Sequence, residues 1–180
     1  TRCCHLREIL PIPATLKQLK HKSRPLQILK MLNPKPTLID VLSFSDFIAI
    51  MPINTVIFDN VTMTTEMLKH VLSGLVHNKH LEKLSLRNVA IDEVGWGYLC
   101  EFMSRNQTVK KLDISQQRVK HLTKPTSFRA SMNWNLFIDA LKSRNGIEEL
   151  VMGGCKLSDE TFENLLENAI TISTCRLGVA

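Results

Sequence analysis

The stretch Leu81-Glu-Lys-Leu84-Ser-Leu86-Arg-Asn-Val89-Ala-Ile91 decides the fold, because its apolar residues fall at the irregular offsets 0, 3, 5, 8 and 10. The same offsets recur 28 residues earlier, 28 residues later and once more further along the chain. The recurring positions are Ile53, Val56, Phe58, Val61 and Met63; Val109, Leu112, Ile114, Gln117 and Val119; Ile147, Leu150, Met152, Cys155 and Leu157; and partial copies at Leu26, Leu29 and Met31 and at Ile172, Cys175 and Leu177. So many matches to one template indicate an internal repeat.

A stretch with helical periodicity follows each complete apolar set. Thr64, Asp92 and Ser158 stand where helix N-caps belong. The helices are predicted to end near Asn78, Asn106 and Asn145, since asparagine tolerates the left-handed conformation that ends a helix. The predicted buried helix faces are Met67, Leu68, Val71, Leu72 and Leu75; Tyr98, Leu99, Phe102 and Met103; Trp134, Phe137, Ile138 and Leu141; and Phe162, Leu165, Leu166 and Ile170.

Each repeat therefore reads as a short strand, a turn, a helix and a return loop. One such unit cannot bury both its apolar strand face and its apolar helix face, so neighbouring units must stack. Stacking predicts an α/β solenoid with parallel strands on the concave face and helices on the convex face. Close spacing of strands on the inside and wider spacing of helices on the outside bend it into an arc.

The offsets resemble the leucine-rich-repeat consensus LxxLxLxx[NC]xL, and the 28-residue period with a full helix is similar to the ribonuclease-inhibitor subtype. The resemblance covers about residues 26–180 and implies a right-handed α/β horseshoe arc. The Asn/Cys position departs from the pattern, because only Cys155 follows it. The other repeats carry Val61, Val89 and Gln117 there, and asparagines at 60 and 88, one place earlier, are candidate substitutes.

Two regions interrupt the period. Residues 1–25 form an irregular, basic, proline-punctuated segment, interpreted as a cap or a degenerate repeat. Val109 and Ile147 lie 38 residues apart, which predicts an insertion of about ten residues at about 116–131. Insertions in solenoids loop out on one face and often serve binding, although a loop with no role is the alternative. The basic side chains of this insert are candidate partner contacts: Arg118, Lys120, Lys124 and Arg129.

The net charge of +6 is concentrated at the start of the chain. Residues 1–36 carry eight Lys and Arg against the single acid Glu8, whereas the remainder is nearly neutral. A nearly neutral body argues against a nucleic-acid-binding stripe along the whole surface. The basic run at 17–24 leaves binding to an anionic surface or a nucleic acid as an alternative for that segment alone.

Alternate side chains of each strand point away from the helices, so they are predicted to form the binding surface. The candidate partner-binding residues on this concave face are Thr55, Ile57, Asp59, Lys83, Ser85, Arg87, Lys111, Asp113, Ser115, Glu149 and Val151. Rigid parallel strands display such residues at little ordering cost, which favours protein recognition.

Catalytic chemistry is not indicated. The sequence contains no GxSxG, P-loop or GxGxxG string, and its histidines and cysteines lack the spacing of a metal site. We therefore predict no enzyme activity, no cofactor and no metal.

Five cysteines without a CxxC pair are typical of reduced thiols and favour the cytoplasm, with the nucleus as the alternative. No apolar run is long enough for a membrane span. Since Thr1 is not an initiator Met, a segment of a longer protein is expected.

The predicted function is a non-catalytic interaction scaffold or regulatory adaptor that binds a protein partner through the concave strand face and the basic insert. One alternative is an accessory repeat domain of a larger enzyme or regulator, by analogy with repeat proteins that regulate phosphatases or small GTPases. The other is the anionic-surface role of the N-terminal segment. The sequence specifies neither the partner nor the oligomeric state.

Overall fold

The computed structural model describes residues 26–116, 128–168 and 176–178. These residues form one six-stranded sheet in which every neighbouring pair of strands is parallel and the strand order follows the chain. The elements in chain order are β1 (Leu26–Lys30), α1 (Leu38–Ile50), β2 (Ile53–Ile57), α2 (Thr65–Leu75), β3 (Lys83–Ser85), α3 (Glu93–Arg105), β4 (Lys111–Asp113), a 3₁₀ turn (Arg129–Ser131), α4 (Trp134–Ser143), β5 (Glu149–Val151), α5 (Asp159–Asn168) and β6 (Arg176–Gly178). The α/β repeat fold predicted from the sequence is confirmed.

The register of the strands reproduces the repeat period. Thr55 pairs with Lys83, and Lys83 pairs with Lys111, which is a step of 28 residues each time. Lys111 then pairs with Glu149, a step of 38, so the insertion does not change the register of the sheet. The extra residues fall in the sequence between β4 and the 3₁₀ turn that precedes α4.

The recurring apolar positions form the core. Leu81, Leu84, Leu86 and Val89 have no exposed surface. The corresponding described residues of the neighbouring repeats are at most 2% exposed: Ile53, Val56, Phe58, Val61, Val109, Leu112 and Ile114. Consecutive helices pack against one another, and their apolar faces close over the same core. Each repeat thus buries its apolar residues against the next, as the template predicts.

The predicted N-caps are all present. Thr64 accepts a hydrogen bond from the N–H of Met67, Asp92 from that of Gly95, and Ser158 from that of Thr161. Thr37 caps α1 in the same way, and Asp40 returns a bond to the backbone of Thr37, completing a capping box. The polar residue before each helix therefore fixes where that helix starts.

Asp92 is the cap that links two repeats, because it also accepts a 2.6 Å hydrogen bond from Thr65 Oγ1 at the start of α2. The pKa of Asp92 is lowered below its ordinary 3.8, first by this hydroxyl and then by the Gly95 N–H. We expect Asp92→Ala to reduce the free energy of unfolding by about 1 kcal/mol at pH 7. Urea unfolding measures it, with Asp139→Ala on the exposed side of α4 as the control.

The same substitution has a pH signature. A carboxyl whose pKa is lower in the folded state stabilises the fold fully above its unfolded pKa of about 4, and that contribution is lost as pH falls through the folded value. The difference between the wild type and Asp92→Ala should therefore shrink below pH 4. A difference that stays constant from pH 7 to pH 3 would contradict a role for the ionised carboxylate.

Two of the three asparagines at the helix ends, Asn78 and Asn106, have a different role from the one predicted. Of the three, only Asn145 is left-handed, with φ of 63°. Asn78 instead donates its side-chain amide to the carbonyls of Ile48 and Met51, both at 2.9 Å, in the preceding repeat. Asn106 does the same toward Leu75 and Val76. These buried amides pair backbone groups where one repeat returns to the next, which explains asparagine there without a left-handed backbone.

Candidate functional site

The strand face is the set of side chains that point away from the helices. It comprises Ile28, Lys30, Thr55, Ile57, Asp59, Lys83, Ser85, Arg87, Lys111, Asp113, Ser115, Glu149 and Val151. The register aligns these residues into rows across the sheet, one row being Thr55, Lys83, Lys111 and Glu149 and the next Ile57, Ser85, Asp113 and Val151. Neighbours in a row are about 4.8 Å apart, the spacing of paired strands.

Three of the predicted contact residues are buried. Thr55 is 8% exposed, Ser85 3% and Ser115 8%. Each is small, and each hydroxyl donates to a neighbouring oxygen: Thr55 to Asn54, Ser85 to Asp59, and Ser115 to Asp113. The prediction that they are exposed contacts is therefore wrong, because alternation gives the direction of a side chain but not its depth. They form the floor of the face, and the hydroxyls of Ser85 and Ser115 orient the carboxylates of Asp59 and Asp113.

The accessible side chains stand above this floor. Arg87 and Lys111 are exposed, whereas Ile57, Asp59, Lys83, Asp113, Glu149 and Val151 are half-buried. Lys111 Nζ lies 3.8 Å from Glu149 Oε2, a weak surface ion pair. The structure thus brings these eight predicted residues onto one surface and leaves cationic, acidic and apolar groups within reach of a partner.

The backbone beneath Arg87 is held by the turns that follow the strands. The carbonyl of Arg87 accepts from the N–H of Asn60, and that of Ser115 accepts from the N–H of Asn88, both at 2.9 Å. Asn60 and Asn88 have φ of 60° and 56°, and their side chains bond to each other at 2.9 Å. The left-handed asparagines predicted to substitute for the consensus Asn/Cys position therefore join consecutive turns, and this limits movement of the strand ends.

Arg129 does not belong to an exposed binding loop. Its side chain is fully buried, and its guanidinium donates to the carbonyls of Ile114 at 3.2 Å and Val89 at 2.7 Å. Burial lowers the pKa of Arg129 to about 10. The prediction that Arg129 contacts a partner is thus wrong. Its guanidinium instead satisfies two backbone carbonyls of the neighbouring turns, one of them at Val89, where the repeat consensus has Asn or Cys. Arg118, Lys120 and Lys124 lie outside the described residues.

The end of the insertion is fixed to the body of the protein. The backbone N–H of Arg129 donates to Gln116 Oε1 at 3.0 Å, and the carbonyl of Arg129 accepts from the indole of Trp134 at 2.7 Å. The indole of Trp96 donates to the carbonyl of Asn133, and the two tryptophans pack edge to face with centroids 5.0 Å apart. Both ends of the insertion are therefore anchored, at Gln116 and at Arg129.

The helical side offers a weaker candidate. A shallow groove between α2 and α3 carries Lys69, Tyr98, Glu101 and Arg105. Its cations are already engaged, because Lys69 Nζ lies 5.6 Å from the Tyr98 ring centroid and Arg105 lies 3.6 Å from Glu101. The strand face is the better candidate for recognition, because its cations Lys83 and Arg87 lie in no ion pair with a described residue.

No metal site or activated thiol is found in the part of the chain that the structure describes. Within residues 26–116, 128–168 and 176–178, no three His, Cys, Asp or Glu side chains come together as metal ligands. Cys100 and Cys155 are buried there as free thiols, and burial raises the pKa of each to about 12. These two thiols remain protonated at neutral pH and are poor nucleophiles. No helix among the same residues has the length and apolar character that crossing a bilayer requires.

The parallel repeats and their exposed strand face define a leucine-rich-repeat protein. The chain belongs to the family described as the MHP1/HER1/GIP3 LRR domain, whose model matches residues 1–180. Within leucine-rich repeats, the ribonuclease-inhibitor-like subtype stays a prediction from the 28-residue period.

Two yeast proteins from Saccharomyces cerevisiae are similar. HMG2-induced ER-remodeling protein 1 is 53% identical over 171 residues, covering 92% of this chain and 14% of that protein. MAP-homologous protein 1 is 41% identical over 198 residues, covering 100% of this chain and 14% of its own length. The chain therefore spans about one-seventh of each relative.

A solved structure titled Leiomodin-1 Actin-Binding Site 2 (ABS2) is similar in fold. It superimposes with a TM-score of 0.62 at 16% sequence identity, covering 88% of this chain and 90% of that one. At that identity the likeness supports the repeat architecture alone.

Proposed function

We propose that this chain is a non-catalytic docking module that binds a protein partner through its strand face. The observation that carries the proposal is the combination, on one rigid sheet, of exposed Arg87, half-buried Lys83 and half-buried Ile57 above a floor of hydrogen-bonded hydroxyls. Charged and apolar side chains held together in this way are typical of protein recognition.

Rigidity supports the proposal. The strands are paired on both sides through the centre of the sheet, and the turns after them are linked by backbone and asparagine bonds. A partner that binds a preformed surface does not spend binding free energy on ordering it. The family and the fold likewise point to an interaction domain rather than to an enzyme.

Three parts of the proposal come from the sequence. The basic insert, through Arg118, Lys120 and Lys124, is proposed to add contacts beside the strand face. The reduced-cysteine pattern favours the cytoplasm as the place of action. Because relatives are about seven times longer than the aligned segment, an accessory role within a larger protein is the form that we favour for this module.

Affinity capture with the full-length protein tests the proposal. We expect the double charge reversal of Arg87→Glu and Lys111→Glu to remove at least one specifically captured protein, because like charges across an interface cost several kcal/mol. The matched control is the double reversal of Lys79→Glu and Lys142→Glu, two exposed lysines outside the strand face. Unfolding curves of both variants should match the wild type. Retention of every partner by the strand-face variant would contradict the proposal.

A further inference from the structure

We propose that the strand face selects an extended acidic segment of a partner protein with the pattern acid–x–apolar–x–acid. Its two carboxylates would pair with Lys83 and Arg87, and its apolar side chain would pack against Ile57 above Ser85. This inference rests on the proposed function, because it names the class of partner that the same face takes.

The acidic groups of the strand face already have partners within the chain. Asp59 accepts a hydrogen bond from Ser85, and Asp113 accepts one from Ser115 at 2.6 Å. Glu149 lies 3.8 Å from Lys111. A hydrogen-bonded or paired carboxylate gains less from an incoming cation than a free one does. A basic segment would therefore find the acids of this face largely engaged.

The two cations on β3 are in the opposite situation. Lys111 is paired with Glu149, whereas neither Lys83 nor Arg87 lies within 4.0 Å of a carboxylate of the described residues. Arg87 is exposed and Lys83 is half-buried, so both are accessible. The charge that remains to be neutralised at the centre of the sheet is positive, and carboxylates complement it.

The spacing of the two cations sets the spacing of the two acids. Lys83 and Arg87 are four residues apart, on β3 and the turn that follows it, so they are at most about 13 Å apart at about 3.3 Å per residue. An extended segment lying along β3 has side chains on one face at every second position. Its first, third and fifth residues would therefore face Lys83, Ser85 and Arg87 in turn.

The third position of the segment lies over an apolar region. Ser85 is small and buried, and its register partner on β2 is the half-buried Ile57. Ile28 on β1 is 52% exposed and pairs with Thr55, which places it diagonally beside Ile57. The exposed Ile28 and the half-buried Ile57, on adjacent strands, form a small apolar patch suited to one large aliphatic side chain.

A nucleic acid fits this surface poorly. A polyanion lying across the sheet would meet Asp59, Asp113 and Glu149 within the same few strands. A peptide segment along β3 places its two carboxylates over Lys83 and Arg87, and only its uncharged third residue lies over Ser85, next to Asp59 and Asp113. The alternation of cations and acids on the strand face therefore favours a protein segment over a continuous polyanion.

Fluorescence anisotropy with the full chain and three labelled peptides tests the inference. The first peptide carries Glu–Ser–Leu–Ser–Glu between glycine–serine flanks, the second replaces both glutamates by lysine, and the third replaces leucine by alanine. We expect the first to bind most tightly and Lys83→Glu or Arg87→Glu to weaken it by about tenfold or more. The control Lys142→Glu should leave it unchanged. Ile57→Ala should weaken the leucine peptide but not the alanine peptide.

The outcomes separate this inference from the proposed function. If the lysine peptide binds as well as the glutamate peptide, the acidic pattern is wrong even where capture by the strand face succeeds. If the glutamate peptide binds equally to the wild type and to the Lys83 and Arg87 variants, or if no peptide binds, the inference is likewise overturned. Failure of the capture experiment, by contrast, overturns the proposed function itself.

Discussion

Gly154→Ala is expected to destabilise the fold by about 3–5 kcal/mol, the upper range for single substitutions. Gly154 has φ of +75°, a conformation that L-residues rarely adopt, and a Cβ at this position would lie 1.9 Å from the carbonyl oxygen of Gln116. The obstacle is backbone, so no side-chain rotation can relieve it. The side chain of Gln116 also accepts a hydrogen bond from the backbone N–H of Arg129, so we expect the change to weaken that bond as well.

Gly97→Ala is the matched control. A Cβ added at Gly97, within α3, meets no atom within 4 Å. Since glycine weakens a helix by roughly 0.5–1 kcal/mol relative to alanine, we expect this second change to raise stability by about that amount. Urea unfolding of both variants measures the difference. A loss below about 1 kcal/mol for Gly154→Ala would contradict the close approach of the β5 turn to Gln116.

Leu84→Ala is expected to cost about 2–5 kcal/mol, the usual range when a large side chain is removed from a core. Leu84 has no exposed surface and lies in β3 between its register partners Val56 and Leu112. Removing its side chain opens a cavity where three consecutive repeats meet, and the flanking strands cannot collapse into it without breaking their pairing.

Leu136→Ala provides the comparison for Leu84→Ala. Leu136 is 43% exposed on α4, so its truncation should change the free energy of unfolding by roughly 0.5 kcal/mol or less. Thermal or urea unfolding of the two variants gives the ratio of their effects. Equal losses would show that the recurring apolar positions do not carry the core.

The fold could be predicted because it depends on positions that recur. Leu84 and Leu112 occupy the same position of the repeat and are both buried, so the apolar offsets of one repeat, applied along the chain, identify both. The N-caps at Thr64 and Asp92 were equally predictable, since a polar residue before a helical pattern has few other roles. The 38-residue step between Val109 and Ile147 also located the insertion. The parallel strands must keep their pairing register, so the extra residues have to lie between the strands and not within them.

The candidate site was predicted less completely. How deeply a side chain is buried and which group it bonds to depend on residues that are close in space but distant in the sequence. Alternation placed Ser85 and Arg87 on the same face, but only the packing around them makes Ser85 buried and Arg87 exposed. Arg129 looked like one more cation of a basic loop. It is buried because Val89 and Ile114 leave carbonyls that its guanidinium can reach, a requirement set by residues 15 and 40 positions away.

The role of Asn78 and Asn106 was missed for a related reason. A sequence pattern shows where a helix ends, and asparagine there suggested a left-handed cap. The side-chain amides instead reach carbonyls about one repeat earlier, which no local rule describes. Comparing equivalent positions between repeats would have indicated the contact, because both asparagines occupy the same place in the 28-residue unit.

Lysine footprinting of the captured complex tests the central claim that the strand face is the docking surface. Lys83 and Lys111 lie on that face, whereas Lys79 and Lys142 are exposed elsewhere. Acetylation followed by mass spectrometry, with and without the bound partner, should show protection of Lys83 and Lys111 and unchanged labelling of Lys79 and Lys142. Protection of Lys79 or Lys142 with Lys83 and Lys111 still freely labelled would contradict the claim.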